Sequence, residues 1–168
     1  AKMADPERDV IVFTGDGSGD FLMRAMHAAG FANIPTSQRS DDGLALTDAY
    51  IAAAVRCAPP LNKPTNDERD ACAPFLAREI ALLTELRVIL ALGTFGWDAA
   101  LRALATLGHP AKPKPRFGHG VAYEVGPCYL GGWYHPSQQN TSRGRLTVPM
   151  FDAVIGRATE LAAAQRLG

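Results

Sequence analysis

Val88-Ile89-Leu90-Ala91-Leu92 is an uninterrupted apolar run that stops at Gly93. A strand with water on one face alternates apolar and polar side chains. A run with no polar member is instead a strand covered on both faces, as in the centre of a parallel sheet. A helix is predicted to follow at once, capped by Thr94 and running to Leu107. The same strand-then-helix order recurs upstream. Val10-Ile11-Val12-Phe13 precedes a helix with Phe21, Leu22, Ala25, Met26 and Ala29 on its apolar face, capped by Ser18 and ended by Gly30. Residues 49–55 are apolar and strand-like, and the Thr65/Glu68 capping-box pattern starts a helix to about Leu83, bent at Pro74. Downstream, residues 121–125 and 129–133 read as two strands joined by Gly126-Pro127. A last helix from about Thr147 carries Met150, Phe151, Val154, Ile155, Ala158 and Leu161 on one face. The predicted fold class is α/β, a three-layer α/β/α sandwich around a central, mainly parallel sheet.

The chain has 168 residues, 47% of them hydrophobic, with 17 basic residues against 17 acidic ones. That length predicts one domain over residues 1–168, with residues 1–10 frayed or unrelated to the rest. A net charge of zero argues against a tail-driven nucleic-acid binder and leaves room for a local basic patch. No secretory leader is expected, because the first residues are charged and lack an apolar run. No stretch reaches the roughly 20 apolar residues of a membrane span, so a cytoplasmic monomer without a membrane partner is expected. Three cysteines, an odd number, point away from a disulfide framework and towards buried thiols or metal ligands.

In open α/β sheets ligands bind outside the carboxyl ends of the strands. Three loops fall there, at residues 14–20, 56–64 and 134–145, and they are expected to form one site. The first, Thr14-Gly15-Asp16-Gly17-Ser18-Gly19-Asp20, is glycine-dense, which lets backbone N–H groups approach a ligand. It does not match the dinucleotide fingerprint, because Asp20 stands where the third glycine belongs, and the phosphate-loop pattern is absent. On local sequence alone Asp16 is as readily a turn-forming aspartate as a chemical group. The second loop is extended and stiff, with three prolines at Pro59, Pro60 and Pro64 around Asn62.

The third, Tyr134-His135-Pro136-Ser137-Gln138-Gln139-Asn140-Thr141-Ser142-Arg143-Gly144-Arg145, contains an imidazole held beside a proline, amides and hydroxyls suited to base edges, two arginines and no carboxylate. By composition alone it is also compatible with a polar surface turn. Cys57 and Cys72 are two thiols where a zinc or iron–sulfur site needs four ligands, so two buried thiols is the simpler reading, and Cys128 reads as a core residue. His27 and His109 have no partners nearby in sequence, whereas His119 could orient a loop through the backbone. Residues 108–120 combine Pro110, Pro113 and Pro115 with Lys112, Lys114 and Arg116 in a stiff basic loop.

Taken together, residues 12–22, residues 53–65 and residues 134–147 resemble the uracil-DNA glycosylase superfamily, specifically its family 5, or type b. The segments come in the family's order and spacing, and the resemblance covers nearly the whole chain from Ile11. It implies a glycosylase that flips uracil and related deaminated bases out of DNA and hydrolyses the N-glycosidic bond. The resemblance assigns Asp16 to the water and His135 to the O2 of the base, as the catalytic pair. It assigns Phe13 to stacking on the extruded base, Gly15 to the substrate loop and Asn62 to the Watson–Crick edge. Ser137, Gln138, Gln139, Asn140 and Arg145 would contact DNA. Cys57 and Cys72 match two of the four ligands of the family's [4Fe–4S] cluster.

These residue types suit the chemistry. Loss of a base passes through an oxocarbenium-like sugar and a uracil anion, so a carboxylate and a hydrogen-bond donor stabilise opposite ends of the charge separation. Extrusion needs an aromatic platform and an edge reader in a close pocket. The family pattern begins earlier, with two more cysteines and a first catalytic loop. The chain is therefore expected to lack that N-terminal segment, and Trp133 stands where a small residue is usual. Two rivals remain at this point: a relative that only binds uracil-containing or abasic DNA, and a nucleotide-binding α/β domain.

Overall fold

A computed structural model describes residues 17–39, 41–56 and 65–164. The described residues form α1 (Gly17–Ala28), α2 (Asn66–Leu82), β1 (Val88–Leu92), α3 (Gly93–Thr106), β2 (Val121–Val125), β3 (Cys128–Trp133), α4 (Gln138–Ser142) and α5 (Val148–Ala164). The chain divides into two compact units, residues 1–53 with 135–157 and residues 54–134 with 158–168.

The second unit contains the sheet, in strand order β1-β3-β2. β1 pairs with β3 in parallel, from Val88 opposite Tyr129 to Leu92 opposite Trp133. β2 pairs with β3 antiparallel, from Val121 opposite Gly132 to Val125 opposite Cys128, with Gly126 at φ +60° turning the hairpin. The predicted hairpin and the predicted strand at residues 88–92 are therefore both present. Among the described residues the sheet is mixed, and its middle strand is β3 rather than β1.

Helix α3 presents Trp97, Ala100, Leu101 and Leu104, spaced as one helical face, to Ala91, Val125, Cys128 and Leu130 of the sheet. On its other side Ala99 and Ala103 pack with Leu76 and Ala77 of α2, and alanines there let the two helices approach closely. Cys128, predicted to be a core residue, is 1% exposed, and burial pushes its thiol up to about 11. On the opposite face of β3 the Trp133 indole is equally buried and lies against Gly131, where an added Cβ would collide with it. Both faces of β3 are thus covered, as the α/β reading requires.

Helix α2 starts as its sequence predicts. Thr65 Oγ1 accepts from the Glu68 amide at 3.2 Å, and Glu68 Oε2 accepts from the Thr65 amide at 2.7 Å. The helix continues through Pro74. Three local expectations fail. Ser18 lies in the first turn of α1 instead of capping it, and Thr94 lies inside α3, which begins at Gly93 with φ +84°. Residues 49–55 form no strand. Their Ala52-Ala53-Ala54 centre has little β preference, Asp48 ahead of them is left-handed at φ +54°, and Tyr50 is exposed. The strand predicted at residues 10–13 and the loop at 57–64 fall outside the described residues. Among the described residues no helix is long and apolar enough to cross a membrane.

In the first unit α1 ends at Ala28 and turns through Gly30, whose φ of +82° permits the turn and whose amide donates to the His27 carbonyl at 3.0 Å. Phe21 of α1 meets Phe151 of α5 edge-to-face at 5.3 Å between ring centroids. The loop after α1 is closed by Asn33, which donates to the Gly43 carbonyl at 2.9 Å and accepts from the Ala45 amide at 2.7 Å. Asp42 gathers the amides of Leu44, Gln38 and Arg39, which hold its carboxyl below the usual range. The turn expected at Asp41-Asp42-Gly43 is present, with Gly43 at φ +81°.

Candidate active site

Residues 135–146 are anchored at both ends by buried side chains, Pro136 and Leu146. Between them the chain makes a single helical turn, α4, which the sequence reading had as loop. Ser137 caps it through its backbone: its carbonyl accepts from the Asn140 and Thr141 amides at 2.9 and 3.0 Å and from the Thr141 hydroxyl at 3.2 Å. Asn140 ties the loop to itself. Its Nδ2 donates to the His135 carbonyl at 2.9 Å, and its own carbonyl accepts from the Leu146 amide at 3.0 Å. Gly144, at φ +66°, closes the turn with its amide on the Thr141 carbonyl at 3.2 Å.

This network fixes the backbone that carries the half-buried His135 and leaves Gln139, Arg143 and Arg145 exposed. Neither arginine is paired with a carboxylate among the described residues, so both are available to an anionic ligand. Arg143 is as exposed as Arg145, although the sequence reading chose only Arg145. Ser137 is half-buried. The Asn140 amide, placed on DNA by that reading, is engaged with His135.

The glycine-dense loop leads directly into α1, whose first turn is Gly17-Ser18-Gly19-Asp20. Helix α1 and residues 135–157 belong to the same compact unit. The Asp20 carboxylate accepts from Gln38 Nε2 at 2.7 Å, a protein contact. Phe13, Gly15 and Asp16 lie outside the described residues, as do Asn62 and Cys57.

In the other unit, Tyr134 continues β3 and is 38% exposed. Its ring lies at 4.8 Å from that of His119, tilted by 32°, and its amide donates to His119 Nδ1 at 3.3 Å. The loop-orienting role read for His119 is therefore realised, on the residue immediately before His135. Burial lowers the His119 pKa from its ordinary value. His109, read without a role, packs against Gly126 in the hairpin turn.

Cys72, on α2, is half-buried and its Sγ accepts from the Arg56 amide at 3.5 Å. Arg56 is the residue before Cys57 in the chain; its guanidinium pairs with Glu79 at 2.5 Å and lies over the Phe75 ring at 5.1 Å. An amide donating to a cysteine sulfur is a usual support for a thiolate that binds iron. Among the described residues no group of three or more His, Cys, Asp or Glu side chains is arranged to hold a metal.

The middle strand of an α/β fold thus runs into a loop with two exposed arginines and a held histidine. The chain belongs to the uracil DNA glycosylase superfamily, whose profile matches residues 4–158. It is similar to the type-5 uracil-DNA glycosylase of Mycobacterium bovis, 50% identical over 153 residues, covering 90% of this chain and 56% of that protein. It is also similar to the type-5 enzyme of Thermus thermophilus, 46% identical over 153 residues, covering 89% of this chain and 67% of that protein. A type-4 uracil-DNA glycosylase of Thermotoga maritima is 35% identical over 92 residues, covering 49% of this chain and 44% of that protein. The chain thus spans a little over half the length of the first of these relatives.

Proposed function

We propose that this chain excises uracil, and other deaminated bases, from DNA by hydrolysing the N-glycosidic bond, as a single glycosylase-like domain and a monomer. The observation that carries the reading is the 50% identity with a type-5 uracil-DNA glycosylase over 90% of the chain. The loop built around His135 supports it, because its backbone is fixed by Asn140 and its exposed arginines suit a polyanion.

In this reading His135 donates to the uracil O2 as negative charge gathers there, and Asp16 orients water and stabilises the cationic sugar. Phe13 stacks on the extruded base, with Gly15 permitting close approach, and Asn62 reads its edge. Ser137, Gln138, Gln139, Asn140 and Arg145 contact the DNA, and Asn140 also holds the His135 backbone to which it already donates. Cys57 and Cys72 would hold two corners of a [4Fe–4S] cluster. Bound there, it would tie α2 to the segment before it. The hydrogen bond from Arg56 to Cys72 Sγ fits such a thiolate, and the other two ligands are not supplied by Cys128, which is buried in the sheet.

The test is a uracil-containing duplex incubated with the protein and then cleaved by alkali. Asp16→Asn and His135→Ala should each slow cleavage by about 100-fold or more, the usual loss for one electrostatic group. Full activity in both variants would overturn the assigned roles. Salt-sensitive DNA binding with no base release would select the binding-only relative. Iron and acid-labile sulfide in a brown protein, lost in Cys72→Ser, would support the cluster, and a colourless, iron-free, active protein would overturn it.

A further inference from the structure

The basic loop ahead of β2 has no part in the chemistry above, yet it is built with unusual rigidity. Residues 108–120 contain Lys112, Lys114 and Arg116 and no carboxylate, in a chain whose total charge is zero. All three cations are exposed, and among the described residues only Lys114 finds an acid, Asp98 at 2.8 Å, while its side chain stays 65% exposed. The loop is held against the sheet. Trp97 Nε1 donates to the Pro115 carbonyl at 3.2 Å, and Phe117 meets the Trp97 ring at 5.9 Å. The Gly118 carbonyl sits 2.7 Å from where a Cβ on Gly132 would be, so the loop lies directly on β3.

The register fixes where this loop points. Val121 is opposite Gly132, so residues just before Val121 flank residues just after Gly132, at the carboxyl end of β3. There the Tyr134 ring meets two others, Phe117 at 6.4 Å and His119 at 4.8 Å between centroids. Phe117 is in turn anchored on buried Trp97, and Tyr134, held by both neighbours, is 38% exposed. An exposed ring held by its neighbours, with a loop whose Lys112 and Arg116 meet no carboxylate among the described residues, suits unstacked nucleic acid: bases stack on the ring and phosphates meet the cations. Rigidity lowers the ordering cost of binding.

We propose that residues 112–119 with Tyr134 form a second DNA-contacting surface, which holds an unstacked stretch of strand through Lys112, Lys114 and Arg116 on phosphates and Tyr134 on a base. The proposal rests on the reading that this chain acts on DNA, and it concerns residues other than the arginines of residues 135–146. The test measures fluorescence anisotropy of a uracil-free single strand of about 16 nucleotides against salt concentration. Combined Lys112→Ser, Lys114→Ser and Arg116→Ser should weaken binding and lower the slope of log K against log salt by about 2, the value for three single-strand phosphate contacts. Lys112→Arg with Lys114→Arg should keep the slope. Tyr134→Leu should weaken binding about tenfold at every salt concentration with the slope unchanged.

An unchanged slope in the triple serine variant, with an unaltered melting temperature, overturns the surface. So does unchanged affinity in Tyr134→Leu. Uracil release is measured on the same preparations. Release with an unchanged slope means the surface fails and the glycosylase reading stands; a lowered slope without release in the wild type means the reverse.

Discussion

The end of β3 and the loop that follows it are consecutive in the chain and are fixed by opposite means. At Gly131 and Gly132 the constraint is steric. An added Cβ at Gly131 would enter the Trp133 ring, and one at Gly132 would meet the Gly118 carbonyl at 2.7 Å and the Phe117 and Trp97 rings at 3.2 Å. In residues 135–146 the constraint is a set of hydrogen bonds, several of them centred on Asn140, with the long polar side chains turned outward. The first kind of constraint forbids almost any substitution and contributes nothing to a ligand directly. The second leaves the surface free to vary in function while the backbone stays where it is.

The largest effects are expected where sterics rule. Gly132→Ala meets a backbone carbonyl that no rotamer change can clear, and should lose stability near the upper end of the roughly 1–3 kcal/mol usual for overpacking. Gly131→Ala meets side chains only, Trp133 above all and Leu90 at 3.3 Å, and should cost about 2 kcal/mol within that range. Trp133→Leu added to Gly131→Ala should recover part of the loss, but should not help Gly132→Ala. Urea midpoints of the four variants decide this; equal relief in both backgrounds would show that Trp133 is not the neighbour that matters.

Asn140→Ala probes the hydrogen-bonded side of the comparison. Losing the bond to the His135 carbonyl should reduce stability by only about 1 kcal/mol. Uracil release should fall much more, by up to about 100-fold, because a displaced histidine forfeits its alignment. Asn140→Asp cannot donate and should not restore activity. If rate and stability fell in proportion, the loop would be acting as scaffold alone, and the contrast with β3 would disappear.

The same contrast governs what could be read from sequence. β1, the β2–β3 hairpin, the capping box of α2 and the apolar face of α5 are legible because each is written in neighbouring residues: a continuous apolar run, Gly126-Pro127 between strands, Thr65 with Glu68, a 3.6-residue period. Residues 49–55 mislead because an apolar run has the same appearance whether or not a partner strand accepts it, and its alanines favour none. Helix α4 is a single turn, too short for periodicity, although Ser137 ahead of it was a usable capping signal. The match of Gly131 to Trp133, and the bonds of Asn140 to His135 and His119 to Tyr134, depend on three-dimensional approach and leave no local trace. Of the candidate site, the existence and composition of the loop at residues 134–145 were legible. The roles of Phe13, Gly15, Asp16, Asn62 and Cys57 came from resemblance and lie outside the described residues.

The smallest effect lies where the two regions join. His119 Nδ1 accepts the Tyr134 amide at 3.3 Å, which requires the neutral ring with its proton on Nε2. Burial also disfavours the imidazolium, so the folded-state pKa lies below the ordinary 6.5. Between these two values the unfolded chain binds more protons than the folded one, and folding stability must fall as pH falls. Above the ordinary value the contribution is complete; it is lost as pH drops from about 6.5 towards and through the lowered pKa. His119→Gln keeps an acceptor for the Tyr134 amide without the titration. Urea midpoints measured from about pH 7 to about pH 5 should therefore fall less steeply in His119→Gln than in the wild type. The difference between the two curves isolates His119 from the other histidines and the carboxylates, which titrate in both proteins. Parallel curves would mean that the bond from the Tyr134 amide to Nδ1 adds no stability, and that the residue before His135 is held by ring stacking alone.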